Sequence, residues 1–293
     1  MVRRIESQTS RTAEFTCTAR CLSYLEKRPQ YHSDDNLALV IMNSLVKLLL
    51  RIPLARHALL SSFPVGMYEY VIARTKYIDE AVQSALRGGV DQVLILGAGF
   101  DTRGIRFQKM AGSTKVFELD APVTQQAKIR RYIQKKIAAP HNLLFIPVDF
   151  DTQRIPDRLS ECGFERNRKC LVVMEGLTMY LQPASAAELF SVIRDFTGTG
   201  SRVVFDFIHA SVLRQENRYD GEKHLTKNTA KSGERFCFGL EKDAVPGFLS
   251  EYGLDAEDIA DSAELEQRFF RSLDGKPDAT VNGTHCIVTA IKK

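Results

Sequence analysis

Residues 92–103 constrain the fold of this chain more than any other segment. An apolar run over 93–96 ends abruptly at Gly97-Ala98-Gly99. A buried parallel strand is typically a short continuous apolar run. The turn after it favours glycine, because glycine adopts left-handed torsions and lets a ligand lie against the backbone. The segment therefore predicts a nucleotide-type cofactor pocket at the carboxyl end of a strand, although a tight strand-to-helix turn without a ligand has the same pattern.

A second strand and a following acid strengthen this interpretation. Lys115–Asp120 (KVFELD) is a predicted strand, and Asp120 follows Gly97 by 23 residues. Nucleotide-binding folds place an acid about 20 residues after the first glycine, where its carboxylate accepts hydrogen bonds from ribose hydroxyls. Alternatively, Asp120 caps the helix that Pro122 is expected to begin.

The glycine pattern also distinguishes between cofactors. Dinucleotide-binding turns follow the pattern GxGxxG, in which the third glycine allows close packing of helix on strand. In this chain the third position is Thr102. A nicotinamide-dependent oxidoreductase is therefore disfavoured.

Four motifs in order, LGAGFDTR, FELDAP, VDFD and MEGLTMYL, resemble the leucine carboxyl methyltransferase family, and the resemblance runs from about Ser10 to Ile291. It implies a class I methyltransferase that uses S-adenosyl-L-methionine. The implied fold is α/β, with a Rossmann-like, mostly parallel seven-stranded sheet whose last strand runs antiparallel between two others. Helices at the N-terminus and an inserted lid would roof the site. The family contains protein phosphatase carboxyl methyltransferases and small-molecule O-methyltransferases. We expect a small-molecule acceptor, with a carboxylate as one candidate; the phosphatase tail and a non-catalytic binding protein are the alternatives.

The rest of the chain fits a single domain of this kind. Residues 1–88 are expected to form a helical cap, 89–208 the cofactor-binding core, 209–241 a lid insertion and 242–293 the end of the sheet. Alternating strands and helices require a mainly parallel sheet. Strands are predicted near 91–96, 115–119, 142–147, 169–174, 202–207, 254–259 and 285–291, and helices near 121–138, 154–161, 183–196 and 242–252.

Several residues are predicted to bind the donor. Gly97, Ala98 and Gly99 would let its amino-acid part pass close to the backbone, and Asp120 would hold the ribose. Glu175 follows the fourth strand, where a carboxylate suits the donor's ammonium group; a solvated loop acid is the alternative. By resemblance, the carboxylate of Asp149 and the backbone N–H of Phe150 would bind the adenine, although Asp149 is also a common turn residue.

Arginines are expected to bind the donor's carboxylate. Arg74 lies 25 residues before Gly99, as the family's arginine does, and its planar fork suits a carboxylate. An ordinary surface arginine is the alternative. Arg20 is a weaker candidate for the same task. No catalytic residue is assigned, because in-line methyl transfer needs alignment and water exclusion more than a strong base. Tyr180 and His209 are the candidates near the reacting centre.

Composition excludes other classes. The chain has a net charge of +4, and its densest basic run, 128–136, is predicted to be a solvated helix face, so no nucleic-acid partner is expected. Six cysteines without zinc-site spacing predict no metal and suit the cytoplasm. The N-terminus lacks the apolar segment of a signal peptide. Residues 37–60 are rich in leucine but too interrupted to span a bilayer, so they are predicted to pack over the domain, with membrane-surface binding as the alternative. A monomer or homodimer is expected.

Overall fold

A seven-stranded sheet organises the protein. The computed structural model describes residues 9–150, 152–223, 225–226, 235–272, 275 and 277–293. Sheet order is β3-β2-β1-β4-β5-β7-β6. The strands are β1 (Gln92–Leu96), β2 (Lys115–Asp120), β3 (Leu143–Pro147), β4 (Cys170–Met174), β5 (Arg202–Ile208), β6 (Leu254–Ala260) and β7 (His285–Lys292).

Helices precede the sheet and connect its strands. In chain order they are α1 (Arg11–Tyr24), α2 (Asn36–Ile41), α3 (Ser44–Leu50), α4 (Pro53–Ser61), α5 (Met67–Arg87), α6 (Arg103–Arg106), α7 (Gln108–Ala111), α8 (Pro122–Gln134), α9 (Ile155–Glu161), α10 (Pro183–Phe196), α11 (Ala210–Leu213), α12 (Val245–Ser250) and α13 (Ser262–Phe269). Neither α6, α7 nor α13 was predicted. The last begins with a capping box between Asp261 and Glu264, a pattern that is visible in the sequence.

The topology confirms the predicted fold. The first five strands are parallel, and β7 runs antiparallel between β5 and β6. Strand order reverses between β1 and β4, which are direct neighbours. In sheets of this type, ligands bind outside the carboxyl ends of the strands at such a reversal. The predicted site residues other than Arg74 lie at the carboxyl ends of β1, β2, β3 and β4 or in the segments that follow them.

Both faces of the sheet are buried, which explains the continuous apolar run of β1. Val93 and Ile95 contribute to one core layer, together with side chains of α1 and α5. Leu94 and Leu96 point the other way, into a layer that includes residues of α10 and α12. Successive strand residues face opposite sides, so a strand covered on both faces has no polar alternation to display.

The helical N-terminal region is confirmed in outline and corrected in detail. Residues 37–60 lie in three short helices, α2, α3 and α4. The pair Ser61-Ser62 before Pro64 predicts a helix start at this point, but α4 ends at Ser61, and α5 begins at Met67 after Gly66. Gly66 has φ +71°, and a Cβ there would lie 2.5 Å from the Asn282 nitrogen. Close backbone approach, which only glycine permits, therefore sets this boundary.

The prediction that the basic run 128–136 forms a solvated helix face was partly wrong. Helix α8 ends at Gln134, before the predicted 138, and residue Lys136 adopts φ 55°. Lys128 is buried rather than solvated, and its ammonium lies 2.5 Å from the Glu118 carboxylate. A buried lysine requires such a partner, because an isolated charge in the interior is costly. The sequence alone does not reveal that pairing.

The described part of the predicted lid insertion returns to the sheet at its end. Helix α11 opens it, and a parallel bridge joins His209 to Leu240. The Cys237 N–H donates to the Met179 carbonyl at 2.7 Å. This part of the insertion therefore lies beside the segment that follows β4. Residues 227–234 of the predicted lid lie outside the described residues.

Candidate functional site

The glycine turn after β1 adopts the left-handed torsions that the sequence predicts. Gly97 has φ +66° and Gly99 has φ +45°. The Gly99 N–H donates to a carboxylate oxygen of Asp120, whose other oxygen accepts from the Ala121 N–H at 2.6 Å. Ala121, not Asp120, is the N-cap residue of α8. The capping alternative for Asp120 is therefore wrong, and its carboxylate faces the glycine turn.

Two side chains lie directly against this turn. A Cβ on Gly97 would be 2.9 Å from a methyl carbon of Leu177, and one on Gly99 would be 3.2 Å from the Ala13 Cβ. Leu177 follows β4, whereas Ala13 belongs to α1. The N-terminal helices therefore cover the glycine turn, as the resemblance implies.

Arg74 reaches the same sheet edge from α5. It is only 5% exposed, so the surface-arginine alternative is wrong. Its Nη1 lies 2.6 Å from the Asp206 carboxylate, and its Nε lies 3.1 Å from Glu175. The guanidinium also lies against Gly176, where a Cβ would be 3.2 Å from Nη1. The turn 175–177 thus contacts both Arg74 and the glycine turn.

The guanidinium of Arg74 retains unused hydrogen-bonding capacity. Nη1 donates to Asp206. The buried Nε makes no hydrogen bond, because its approach to Glu175 has poor geometry. Among the described residues, none accepts a hydrogen bond from Nη2. Nε faces the Glu175 carboxylate, so Nη2 is the nitrogen of Arg74 that is left for a further acceptor.

Asp206 positions this arginine and was not among the residues predicted from the sequence. It is fully buried in β5. One oxygen accepts from Arg74 and from the Tyr70 hydroxyl at 2.9 Å, and the other accepts from the Gly176 N–H at 2.6 Å. Asp206 therefore connects α5, β5 and the turn after β4. Its position near the carboxyl end of a strand was the available clue.

Arg103 is the most heavily paired residue that the sequence interpretation missed. It is 2% exposed, and each of its three carboxylate partners lies 2.6 Å away: Asp79, Asp101 and Glu175. Glu175 is thus held by two arginines and is not the solvated loop acid of the alternative interpretation. Arg103 is the last residue of the LGAGFDTR motif, but no function was predicted for it from the sequence.

A second ion-pair cluster explains why Thr102 replaces the third glycine. The Thr102 hydroxyl donates to Asp35 at 2.7 Å. Asp35 also binds Arg20 at 2.6 Å, and Arg106 lies 3.3 Å from it. Arg20 in turn donates to the Phe100 carbonyl at 2.8 Å. Arg20 therefore connects α1 to the residue that follows the glycine turn, and its described partners are Asp35 and the Phe100 carbonyl.

The site carries a small negative excess. Four buried arginines (Arg20, Arg74, Arg103 and Arg106) pair with five carboxylates (Asp35, Asp79, Asp101, Glu175 and Asp206). Burial alone would raise the pKa of Asp101, but Arg103 and Lys128 outweigh it and lower that pKa to about 2. Burial alone would also raise the pKa of Glu175, but the charges of Arg103 and Arg74 outweigh it and lower that pKa. Asp101 and Glu175 therefore stay ionised at neutral pH.

Acid should weaken the folded state through Asp101. Its pKa falls from 3.8 to about 2 on folding. A lowered pKa contributes stability above the unfolded value, and that stability is lost as pH falls from about 4 through 2. We expect about 2 kcal/mol of the free energy of unfolding to disappear over this window, measured by urea titration at successive pH values. Asp101→Asn should show a shallower decline; an unchanged decline would contradict the assignment.

The predicted adenine-binding residues lie at the adjoining strand end. The Val148 N–H donates to the Asp120 carbonyl at 2.8 Å, which brings the end of β3 beside Asp120. Asp149 is half-buried, and its carbonyl accepts from the Gln153 N–H at 2.9 Å. Phe150 packs partly against the second core layer. Asp149 and Phe150 therefore sit on the same edge as the glycine turn.

Aromatic side chains and a histidine adjoin Arg74. His285 stacks on Tyr70 with ring centroids 4.6 Å apart, and Phe236 lies 6.4 Å from His285 and 5.4 Å from Tyr180. Burial lowers the pKa of His285 to about 3, so this imidazole is neutral. His209 instead stacks on Tyr219 and lies 3.4 Å from the Cys286 thiol. The structure thus brings His285, which the sequence interpretation did not select, to the Arg74 cluster.

Neither a membrane span nor a metal cluster occurs in the described ranges. No helix there combines the length and apolarity that crossing a bilayer needs. Among the same residues, histidines, cysteines and acids form no group that could hold a metal ion. The ionic groups of the site are satisfied by arginines.

Known proteins resemble this chain in sequence and in fold. A Bacillus subtilis protein named "Putative S-adenosyl-L-methionine-dependent methyltransferase YktD" is 29% identical over 76% of this chain and 72% of its own. A Mycobacteroides abscessus protein, also named as a "Putative S-adenosyl-L-methionine-dependent methyltransferase", is 34% identical over 65% of this chain and 60% of its own. The crystal structure of a DUF574 family protein from Streptomyces avermitilis matches the fold with a TM-score of 0.60, at 14% identity, over 99% of this chain and 100% of the other.

The family assignment rests on more than half of the sequence. Residues 14–194 match the leucine carboxyl methyltransferase family. That range includes the glycine turn, Asp120, Arg74 and Arg103, and it ends within α10. The predicted family and enzyme class are both confirmed. The chain belongs to the leucine carboxyl methyltransferase family and is a methyltransferase.

Proposed function

We propose that this protein transfers the methyl group of S-adenosyl-L-methionine to an oxygen atom of a small molecule, with a carboxylate as the favoured acceptor. One observation carries the proposal: the buried Arg74 guanidinium has a free Nη2 beside Glu175 and the turn 175–177, which itself contacts the glycine turn. An arginine edge and a carboxylate are the partners that the carboxylate and ammonium of an amino acid need.

Each part of the donor has a partner along this edge. Arg74 binds the carboxylate, and Glu175 binds the ammonium group. Gly97, Ala98 and Gly99 let the chain of the donor pass, and Asp120 accepts from the ribose hydroxyls. Asp149 and Phe150 bind the adenine. The donor carries one net positive charge, which complements the single negative excess of the buried ionic network. The names of the relatives support the same donor.

The chemical step needs little from the protein beyond alignment. An acceptor oxygen attacks the methyl carbon while the carbon–sulfur bond breaks and its electron pair returns to sulfur. The products are the methylated acceptor and S-adenosylhomocysteine. Opposite charges are neutralised during this step, so exclusion of water favours it. A carboxylate acceptor is already ionised at neutral pH and requires no general base, which agrees with the absence of a strong base among the described residues beside Arg74.

The acceptor side is best placed between the cap and the lid. Tyr180 and Phe236 approach each other from the segment after β4 and from the insertion, and His285 lies beside them. Aromatic walls with a few polar groups are characteristic of small-molecule pockets. The described parts of the cap (9–88) and of the lid (209–223 and 235–241) would flank the acceptor within one domain, which favours a small molecule over the tail of a protein.

A screen with methyl-labelled donor tests this proposal. We expect label to pass to at least one small organic acid and to be released by base, as a methyl ester requires. Arg74→Lys retains the charge but loses the bidentate edge, so S-adenosylhomocysteine should bind it about tenfold or more weakly in calorimetry. Arg87→Lys, on the exposed end of the same helix, is the matched control and should bind normally.

Three results would contradict the proposal. Transfer to nitrogen or carbon acceptors alone would exclude O-methylation. Transfer to a phosphatase tail peptide but to no small acid would favour the protein-directed alternative. Tight NADH binding without any response to S-adenosylhomocysteine would remove the donor assignment altogether.

A further inference from the structure

An exposed apolar surface lies on α3 and α4, which we call the leucine face: Leu45, Leu48, Leu49, Ile52 and Leu54. These five account for most of the eight large apolar side chains that are exposed among the described residues, and they are 38–79% exposed. Isolated apolar residues on a surface are ordinary, but a cluster marks a site of interaction. The leucine face is therefore a candidate interaction surface.

The two helices cannot turn these side chains inward. Leu50 is buried in the same core layer as α5, and Val46, Leu59 and Leu60 pack against that layer. The Asn43 side chain caps α3 by accepting from the Leu45 N–H at 2.9 Å. The opposite sides of α3 and α4 are thus committed to the core, so the leucine face stays outward in the folded protein.

Positive charge surrounds the leucine face without compensating acids. The stretches 36–68 and 121–148 contain no Asp or Glu. They meet in the fold, because α2 contacts α8. The Lys47 ammonium donates to the Val40 carbonyl of α2 at 2.6 Å, and α2 contacts α8, whose end precedes Lys135. Partial burial, followed by the charges of Lys135 and Arg51, lowers the pKa of Lys47. In the described part of the chain, no carboxylate forms an ion pair with Arg51, Arg56, Lys135 or Lys136.

We propose that the leucine face docks onto an anionic membrane surface, with its cations against lipid phosphates and its leucines among the upper acyl carbons. Surface-bound helices combine protruding apolar side chains with flanking lysine and arginine in this way. Each cation near an anionic bilayer adds to the attraction. A second copy of this chain is a poorer partner, because pairing two such faces brings like charges together. This inference goes beyond the proposed function and does not depend on it.

Vesicle sedimentation tests the proposal with the full chain. We expect the protein to pellet with vesicles that contain about one third phosphatidylglycerol in phosphatidylcholine, and to stay in solution with phosphatidylcholine alone. Raising the salt to about 1 M shortens the Debye length to about 3 Å. Binding should then fall several-fold, because the attraction between cations and lipid phosphates is screened.

Matched variants distinguish vesicle binding through the leucine face from nonspecific adsorption. Leu48→Ser with Leu54→Ser should reduce vesicle binding at least about tenfold, because both side chains lose their transfer into the bilayer. Arg51→Glu should reduce it by a similar factor. Met110→Ser and Lys109→Glu change exposed residues on α7 and should bind as the unmodified protein does. Affinity for S-adenosylhomocysteine should be the same in all of them.

Several outcomes would overturn the proposal. Equal binding to neutral and anionic vesicles, no binding to either, or full binding by the double serine variant would each do so. Sedimentation equilibrium supplies the competing result: if the protein dimerises, ignores vesicles, and becomes monomeric in the serine variant, the leucine face is an interface between copies. Reduced affinity of the serine variant for S-adenosylhomocysteine would show instead that the variant misfolds. Vesicle binding by Arg51→Glu then tests the proposal, and full binding by that variant would overturn it.

Discussion

Arg103→Ala is expected to lower the free energy of unfolding by about 3–5 kcal/mol, the largest effect of any single change in the ionic network. The guanidinium is 2% exposed and lies 2.6 Å from three carboxylates, those of Asp79, Asp101 and Glu175. Its removal leaves buried negative charges without their partner. Urea denaturation at neutral pH measures the change. Arg87→Ala removes an exposed arginine, 3.5 Å from Gln83, and should cost less than about 1 kcal/mol.

A double-mutant cycle would assign this loss to the pairing. Glu175→Gln removes one of the unpaired charges, so Arg103→Ala should cost less in that background than in the original protein. Coupling of about 0.5–3 kcal/mol is typical for groups in one network. Additive effects, or a loss for Arg103→Ala no larger than that of the Arg87→Ala control, would mean that Arg103 is not the centre of the network.

Asp120→Ala should weaken binding of S-adenosylhomocysteine about tenfold to a hundredfold. A hydrogen bond to a charged group is worth about 1.5–3 kcal/mol, and 1.4 kcal/mol corresponds to a factor of ten. The variant loses the proposed acceptor for the ribose, and also the acceptor that holds the Gly99 N–H in place. Calorimetry gives the affinity, and thermal melting checks the fold. Asp157→Ala, on the exposed surface of α9, is the matched control.

The two measurements on Asp120 separate its roles. Unchanged affinity with a lower melting temperature would leave Asp120 with only the positioning of the glycine turn. A lower affinity with an unchanged melting temperature would support ribose binding. Asp120→Asn refines the result, since it keeps an acceptor oxygen but loses the charge, and it should lie between alanine and aspartate.

Local pattern predicted the parallel strands well for a physical reason. Strands β1 and β4 are covered on both faces, so their continuous apolar runs stand out from the helices between them. The glycine turn was equally visible, because Gly97 and Gly99 both require positive φ. Helix boundaries were less predictable. Gly66, where α5 begins, is fixed by the backbone of Asn282, which is distant in sequence.

The sequence by itself determined the parallel strands, the glycine turn and the family, since each is recognised from residues close together along the chain. Only the tertiary structure decided how the ionic groups are shared. Arg103 and Asp206 acquire their roles from partners on other elements, and Lys128 is buried only because Glu118 meets it. A charged side chain is stable in the interior only with its partners in place, and that pairing is a property of the fold.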